Sequence, residues 1–270
     1  MSDEDLALAI QLSTQAGDIL LSHWKQRECL IVSTKRAGDF VSQADRAAED
    51  HVRQALARLR PGDGWLGEET GPASGDARRW IVDPLDGTTN FLRGIGHWCV
   101  SIALEDAGQL RLGVVYDPLR RETFAAMQGK GATLNGQKIS VAPTSMMSSA
   151  LFGTGVPFGG MNHIDEHAGD IARLMPNCAG LRRMGSAALD LAYVAAGRLD
   201  GFWERVLQPW DIAAGLVLAR EAGAQVEGWT ASERPEDSGT VVTATPGLFP
   251  AFAACLRADD GASGRREPRE

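Results

Sequence analysis

The chain has 270 residues, 44% of them hydrophobic and 23% charged, with a formal net charge of −8. That is enough chain for one large domain or two intimate halves around a real core, and the acidic balance argues against a nucleic-acid surface as its main business. Cys29, Cys99, Cys178 and Cys255 lie far apart with no Cys-x-x-Cys pair, the pattern of reduced cytosolic thiols and not of a zinc site or disulfide framework. The N-terminus opens on Ser2-Asp3-Glu4-Asp5, acidic where an export signal would be basic, and no apolar run approaches membrane-spanning length. The expectation is a cytoplasmic protein without a membrane partner.

Leu6, Ile10, Leu12, Ala16, Ile19 and Leu20 form a helical stripe that ends near His23-Trp24. Cys29 to Val32 reads as a short strand, and Ser33 to Asp39 as a polar, cationic connecting loop. Ser42, with Asp45 three residues on, is a capping box that opens a helix carrying Ala44, Ala48, Val52, Ala55, Leu56 and Leu59 on one face. Pro61-Gly62-Asp63-Gly64 ends that helix. The short strand that follows delivers Glu68 and Glu69. Adjacent strand residues point to opposite faces, so at most one of them aims into a given site unless the backbone turns between Gly67 and Gly71.

Trp80-Ile81-Val82-Asp83-Pro84-Leu85-Asp86-Gly87-Thr88-Thr89-Asn90-Phe91 is the densest stretch of chemistry. An apolar strand runs into two acidic residues three apart, then a glycine turn, then a helix start. Pro84 has no N–H and holds the turn, so that Asp83 and Asp86 aim into one space. A helix start offers N–H groups without intrahelical partners, where phosphate binds readily. Taken alone, the stretch also reads as an acidic turn after a buried strand.

Beyond it, residues 97–105, 110–116 and 122–127 alternate like an antiparallel meander, and Asn135-Gly136 marks a tight hairpin. The connection Ala142 to Ser149 is the best internal boundary, and a strand pattern restarts from Ser149 to Gly153. Asn162 to Met175 reads as a helix on which His163 and His167, four apart, are assigned to a solvated face in preference to a metal pair. Gly185 to Gly197 reads as an alanine-rich helix capped by a serine and a glycine. Leu199 to Glu204 reads as a strand delivering Glu204. Pro209-Trp210-Asp211 opens a further helix, where Asp211 also complements the helix dipole. Strands at 225–227 and 240–244 and a helix at 248–256 complete the pattern, and 258–270 reads as a disordered tail. The expected organisation is one catalytic unit over 1–257, with subdomains of about 1–142 and 143–257.

Glu68, Asp83, Asp86 and Asp211 thus stand on strand ends and helix starts, with Asp45 a fifth carboxylate. Two like charges ~4 Å apart repel by about 4 kcal/mol at an effective dielectric of ~20. Such a cluster either takes up protons or recruits cations, and oxygen donors of this hard type suit Mg²⁺. A site with two or three Mg²⁺ ions acting on a phosphate ester resolves both the repulsion and the approach of an anionic substrate.

Residues Trp80 to Phe91, Gly67-Glu68-Glu69 and Trp210-Asp211-Ile212-Ala213-Ala214-Gly215 resemble the three signatures of the inositol monophosphatase family, and the similarity runs from about residue 6 to 256. Gly185 to Gly201 is most similar to the bacterial branch of that family. The resemblance implies an α/β (α+β) fold, a layered αβαβα sandwich, with Mg²⁺-dependent phosphomonoester hydrolysis, lithium inhibition and a homodimer. Carried over to this chain, Glu68, Asp83 and the Leu85 carbonyl would hold a first ion. Asp83, Asp86 and Asp211 would hold a second, and Glu68 with waters a weaker third. Thr88, backed by Asp45, would orient the attacking water, which with Glu68 makes the catalytic set. Gly87 and Thr88 would seat the phosphate through their N–H groups. Asp86, Ala187, Glu204 and Asp211 would face the substrate, and Lys35 falls in the loop that closes over the metals.

The chain departs from the family at Arg205-Val206, where a glycine is common at the second position, and at Arg93 and Gly96, where histidine and proline are commoner. All four are placed near the pocket mouth. Relatives of the same fold hydrolyse histidinol phosphate or other sugar phosphates, and histidinol phosphate is the alternative substrate, since Glu204 and Asp86 could accept from its ammonium group. A substrate with a second phosphate would call for another cation, for which Arg205 is the candidate. A regulatory or binding protein with incidental phosphatase activity is the reading from another class.

Overall fold

The computed structural model describes residues 2–30, 32–36, 39–156 and 163–258, and the side chains of 29, 34–36 and 39–41 fall outside that description, Lys35 among them. The tail expected at 258–270 lies outside the described residues beyond Ala258.

Helix α1 (Asp3–Trp24) starts at a capping box in which Ser2 Oγ accepts the Asp5 N–H and Asp5 accepts the Ser2 N–H. Of the expected stripe Leu12, Ala16 and Leu20 are buried and Leu6, Ile10 and Ile19 half-buried, and Leu8 joins the buried set. Of the strand expected at 29–32, Cys29 instead ends a 3₁₀ turn at Arg27–Cys29, residue 31 lies outside the description and Val32 does begin a strand. The expected loop is a hairpin, β1 (Val32–Arg36) pairing antiparallel with β2 (Asp39–Ser42). Polar composition concealed it, because strand pairing satisfies backbone groups whatever the side chains are. Helix α2 (Gln43–Leu59) opens on the expected box, Ser42 Oγ accepting the Ala44 N–H and Asp45 accepting the Ser42 N–H at 3.0 Å.

The first half builds an eight-stranded sheet from β3 (Gly64–Gly67), β4 (Gly71–Ala73), β5 (Arg78–Asp86), β6 (Cys99–Asp106), β7 (Gln109–Asp117), β8 (Glu122–Met127), β9 (Gly131–Leu134) and β10 (Gln137–Ile139), with the short helix α3 (Thr88–Arg93) after β5. Its order is β10-β9-β8-β7-β6-β5-β3-β4, a meander except where β3 runs parallel to β5. The stretch 142–149 then leads to a five-stranded sheet of β11 (Leu151–Thr154), β12 (Gly180–Arg182), β13 (Gly201–Glu204), β14 (Gln225–Glu227) and β15 (Val241–Ala244), in the order β12-β11-β13-β15-β14. The helices of this half are α4 (Ile164–Leu174), α5 (Ala187–Ala195), α6 (Pro209–Glu221), the single turn α7 (Pro235–Ser238) and α8 (Phe249–Leu256).

Alternation along the strands sorts the side chains into layers. Trp80, Val82, Val100 and Ile102 pack with the stripes of α1 and α2, whereas Ile81, Ala103 and Val115 pack with Ala188, Leu189 and Ala192 of α5 and Ala213, Ala214 and Val217 of α6. The opposite sides of α5 and α6 bury Leu191, Val194, Ile212 and Leu216 against Phe202 and Val241. Beyond the second sheet, Phe152, Trp203 and Val242 meet Leu174 of α4 and Phe252 of α8. The layers therefore read αβαβα, the expected sandwich. The alanines of α5 and α6 let two helices fit between two sheets.

Two expectations in this half change. Helix α4 lies within the predicted span, whose first residue Asn162 is outside the described residues, but His167 does not face solvent: it is buried, its ring stacked 5.9 Å from that of Trp203. Arg205, the candidate cation for a second phosphate, does not line the cleft around Asp83. Its guanidinium is paired with the buried Asp170 carboxylate and lies 3.6 Å from the Trp229 ring centroid.

Candidate active site

Residues three apart on a regular strand point to opposite faces. Asp83 and Asp86 escape this because β5 carries a bulge: Asp83 pairs with Ser101 and Asp86 with Cys99, so three steps on β5 match two on β6. Pro84, with no N–H to give, sits in the irregularity. Leu85 turns into the α1/α2 core, while Asp86 reaches the start of α5. Asp83 is buried, and its Oδ1 accepts the Leu85 N–H at 2.9 Å.

Because β3 and β5 are parallel, their carboxyl ends lie side by side, and the Glu68 N–H donates to the Val82 carbonyl at 3.2 Å. The backbone turns at Glu68–Glu69–Thr70, as the flanking glycines suggested, and Glu68 lines a cleft of about 290 Å³ with Asp83, Leu85, Asp86 and Asp211. Gly87 follows at φ 99°, where a Cβ would also meet the His97 carbonyl at 2.9 Å, so glycine is needed for both conformation and space. Gly87 and Thr88 line the same cleft. Thr88 Oγ1 lies 3.1 Å from both Asp45 Oδ1 and the Leu85 carbonyl, which places Asp45 behind Thr88 and not in the cleft wall.

The second half supplies the facing wall. β11 and β13 are parallel, so Thr154, Gly155 and Glu204 arrive together at the cleft. Ala187 lines it at the start of α5, and Asp211 in the first turn of α6, where the Asp211 carboxylate accepts the Gln208 N–H at 2.7 Å. Of the residues expected in the site, Glu68, Asp83, Leu85, Asp86, Gly87, Thr88, Ala187, Glu204 and Asp211 line one cleft and Asp45 reaches it through Thr88, while the Lys35 side chain lies outside the description. Of the four departures, Val206 alone lines the cleft; Arg93, Gly96 and Arg205 do not. Val206 holds φ 64°, which a β-branched side chain rarely adopts. It is fixed by the Arg205–Asp170 pair before it and by the Leu207 N–H donating to the Gly239 carbonyl at 2.8 Å after it.

Several residues of this neighbourhood carry roles that sequence reading did not assign them. Ser186 Oγ and the Ala188 N–H both donate to Asp86 Oδ2 at 2.7 Å. Ser186 precedes α5 as expected, yet makes no side-chain cap on that helix. Asp190 lines the cleft and is bonded to His97 Nε2 at 2.9 Å. Asn90 ties the wall together by donating to the carbonyls of His97 and Met184 at 2.8 Å each. Among the described residues lining the cleft, Arg183 is the cation. Short polar side chains on helix starts look alike in sequence whether they cap, pack or serve a site.

The electrostatics are those of excess negative charge. Burial, then the charges of Glu68, Asp86 and Asp211, push the Asp83 carboxyl well above the usual carboxylate range. Burial, then Asp211, Asp190 and Asp86, does the same to Glu204. Asp86 is pushed up to about 6 by burial, against the pull of its bonds from Ser186 and Ala188. Burial also raises Asp45, although Ser42 and Thr88 both donate to it. Among the described residues no three His, Cys, Asp or Glu side chains close into a ready-made ligand group. What fits a hard divalent cation here is the donor type, carboxylate oxygens throughout, and a charge excess that one or more dications would relieve.

Comparison with known proteins agrees with this geometry. The model of the inositol monophosphatase family matches residues 1–259. The inositol-1-monophosphatase of Mesorhizobium japonicum is 46% identical over 239 residues, covering 88% of this chain and 90% of that protein. The Nus factor SuhB of Pseudomonas aeruginosa is 39% identical over 258 residues, covering 93% and 95%. In structure, the extragenic suppressor protein suhB of Bartonella henselae matches with a TM-score of 0.92 at 38% identity, over 95% of this chain and 99% of that one. No helix among the described residues is long and apolar enough to cross a membrane. By fold, motif and site, the chain belongs to the inositol monophosphatase family, a family generally dependent on metal, and is a phosphatase acting on a small phosphate ester.

Proposed function

We propose that the chain hydrolyses inositol monophosphate to myo-inositol and phosphate, with two or three Mg²⁺ ions in the cleft. The observation that carries this reading is Asp83, a buried carboxylate whose acidic neighbours Glu68, Asp86 and Asp211 all disfavour its charge. Glu68, Asp83, Asp86, Asp211 and the Leu85 carbonyl would hold the ions, which when bound supply a water of lowered pKa and neutralise the leaving oxygen.

This chain's own residues do the rest. The Thr88 hydroxyl hydrogen is directed at Asp45 or the Leu85 carbonyl, so the Thr88 oxygen is turned outward as an acceptor. A water donating to it is held with its oxygen toward the phosphorus. Gly87 and Thr88 offer backbone N–H groups at the start of α3 to the phosphate oxygens. Asp86, Ala187, Glu204 and Asp211 border the space left for the alcohol, where carboxylates accept from ring hydroxyls. Water adds to phosphorus, the P–O ester bond breaks, and the leaving alcohol takes up a proton.

The same reading makes the protein cytoplasmic, on its dispersed cysteines, and on the family resemblance a homodimer inhibited by lithium: Li⁺ is close to Mg²⁺ in size with half its charge. Millimolar Li⁺ should slow turnover at optimal Mg²⁺, and insensitivity would count against it. The substrate is tested by side-by-side hydrolysis of inositol phosphate, histidinol phosphate and fructose bisphosphate across a Mg²⁺ titration. Preference for inositol phosphate supports the proposal, preference for histidinol phosphate replaces the substrate, and hydrolysis of none of them with Mg²⁺ overturns it.

A further inference from the structure

Glu49 lies on α2 without solvent exposure, and no step of the hydrolysis uses it. A buried carboxylate needs donors, and both of its oxygens have one: Oε2 accepts the Glu69 N–H and Oε1 the Thr70 N–H, each at 2.8 Å. These amides belong to the three-residue loop that joins β3 to β4 and is closed by the Gly67–Gly71 pair. The loop's first amide, Glu68 N–H, goes to the Val82 carbonyl of β5, and the Glu69 and Thr70 amides need another acceptor. Fixing both amides fixes the peptide planes on either side of Glu69, and with them the backbone from which Glu68 enters the cleft.

The chain is fitted around this contact. A Cβ on Gly67 would meet the Trp65 ring at 2.7 Å and Glu49 Cδ and Oε1 at 2.8 Å, so the missing side chain at 67 is room shared by that ring and the carboxylate. Asp45 stands one helical turn earlier on the same helix and holds Thr88 at 3.1 Å. Helix α2 therefore grips the Glu68 loop with one carboxylate and Thr88 with another, across two segments far apart in sequence.

We propose that Glu49 is a positioning residue, holding the Glu68–Thr70 loop so that the Glu68 carboxylate meets the metal in register with Asp83 and Thr88. This rests on the reading of Glu68 as a metal ligand. The test measures Mn²⁺ binding by calorimetry on the full-length chain, free of substrate, beside the Mg²⁺ dependence and the kcat and KM of hydrolysis. Glu49→Gln keeps the shape but turns an amide donor at one of the two N–H groups. Loss of a residue that orients a metal ligand costs roughly 10- to 100-fold in metal affinity, and that loss is expected for Mn²⁺, with kcat falling and substrate KM nearly unchanged. Mn²⁺ affinity within twofold of the parent overturns the proposal. Should Glu49→Gln not fold, Glu49→Asp decides, because it keeps the charge but withdraws the carboxylate from the Glu69 and Thr70 N–H groups by one methylene: weakened Mn²⁺ binding supports the proposal and parental binding overturns it. Glu68→Gln separates the two levels. If it binds Mn²⁺ as the parent does, the metal reading of Glu68 fails and this inference with it; if it loses Mn²⁺ while Glu49→Gln does not, only the positioning role fails.

Discussion

Ser186 stands at the residue before α5, yet its hydroxyl donates to the Asp86 carboxylate at 2.7 Å, 100 residues away in sequence. The Ala188 N–H joins it on the same oxygen. The start of α5 is thus spent on aligning Asp86, and a helix in the sandwich's middle layer is tied to the end of β5. A hydrogen bond to a charged acceptor is worth roughly 1.5–3 kcal/mol, or about 10- to 150-fold in kcat/KM. Ser186→Ala should lose that factor and, in metal-free protein, move the Asp86 titration above its value of about 6, as followed by carboxyl NMR. Unchanged turnover and titration would make the contact incidental.

Asp83→Asn separates a metal ligand from a structural carboxylate. Asn keeps an Oδ1 to accept the Leu85 N–H at 2.9 Å but removes a buried charge that Glu68, Asp86 and Asp211 oppose. Metal-free Asp83→Asn should therefore melt no lower than the parent, while turnover with Mg²⁺ falls by orders of magnitude. Near-normal activity would sink the shared-ligand assignment.

The stability of the metal-free protein should depend on pH in an unusual direction. Asp86 is raised to about 6 in the folded chain, so between the ordinary carboxylate range near pH 4 and about pH 6 the folded state holds a proton that the unfolded state has released. Folding stability from this group is intact below that window and falls as pH rises through it, by about 3 kcal/mol for a shift of this size. Asp83 and Glu204, raised well above the carboxylate range, prolong the decline at higher pH. Thermal melts without metal should drop from pH 5 to 7, and Mg²⁺ should raise the melting point more at pH 7 than at pH 5. A flat profile would mean that the carboxylates relax apart.

Glu204 and Asp211 line one cleft, as expected, and the neighbouring Arg205 is committed to Asp170. Glu204→Gln should reduce kcat/KM for inositol phosphate by roughly 10- to 150-fold. A generic aryl phosphate, with no hydroxyl to place there, should be nearly unaffected. Equal losses on both would move Glu204 into the metal-binding group, and no loss on either would remove it from recognition.

The strongly periodic elements were legible from residue order alone. The α1 and α2 stripes, the meander from β6 to β8, the Asn135-Gly136 hairpin and the Pro209 helix each follow from local propensity and period, which act within a few residues. So do the carboxylates of the motifs, because acidic residues at strand ends and helix starts are conspicuous wherever the chain places them. The β1–β2 hairpin was not legible, since its pairing comes from backbone bonds and not from apolar alternation. His167 was misplaced on a solvated face because one helix period does not reveal which neighbour, here Trp203, covers it. Pro84 and the turn predict that Asp83 and Asp86 aim into one space, but only the tertiary structure decided that a bulge in β5 does this, that β3 runs parallel to β5 and sets Glu68 beside them, and that Ser186 and Glu49 serve those carboxylates and their loop. Each is a relation between segments distant in sequence, fixed by strand register and buried hydrogen bonds, and residue order expresses such relations only once the chain has closed on itself.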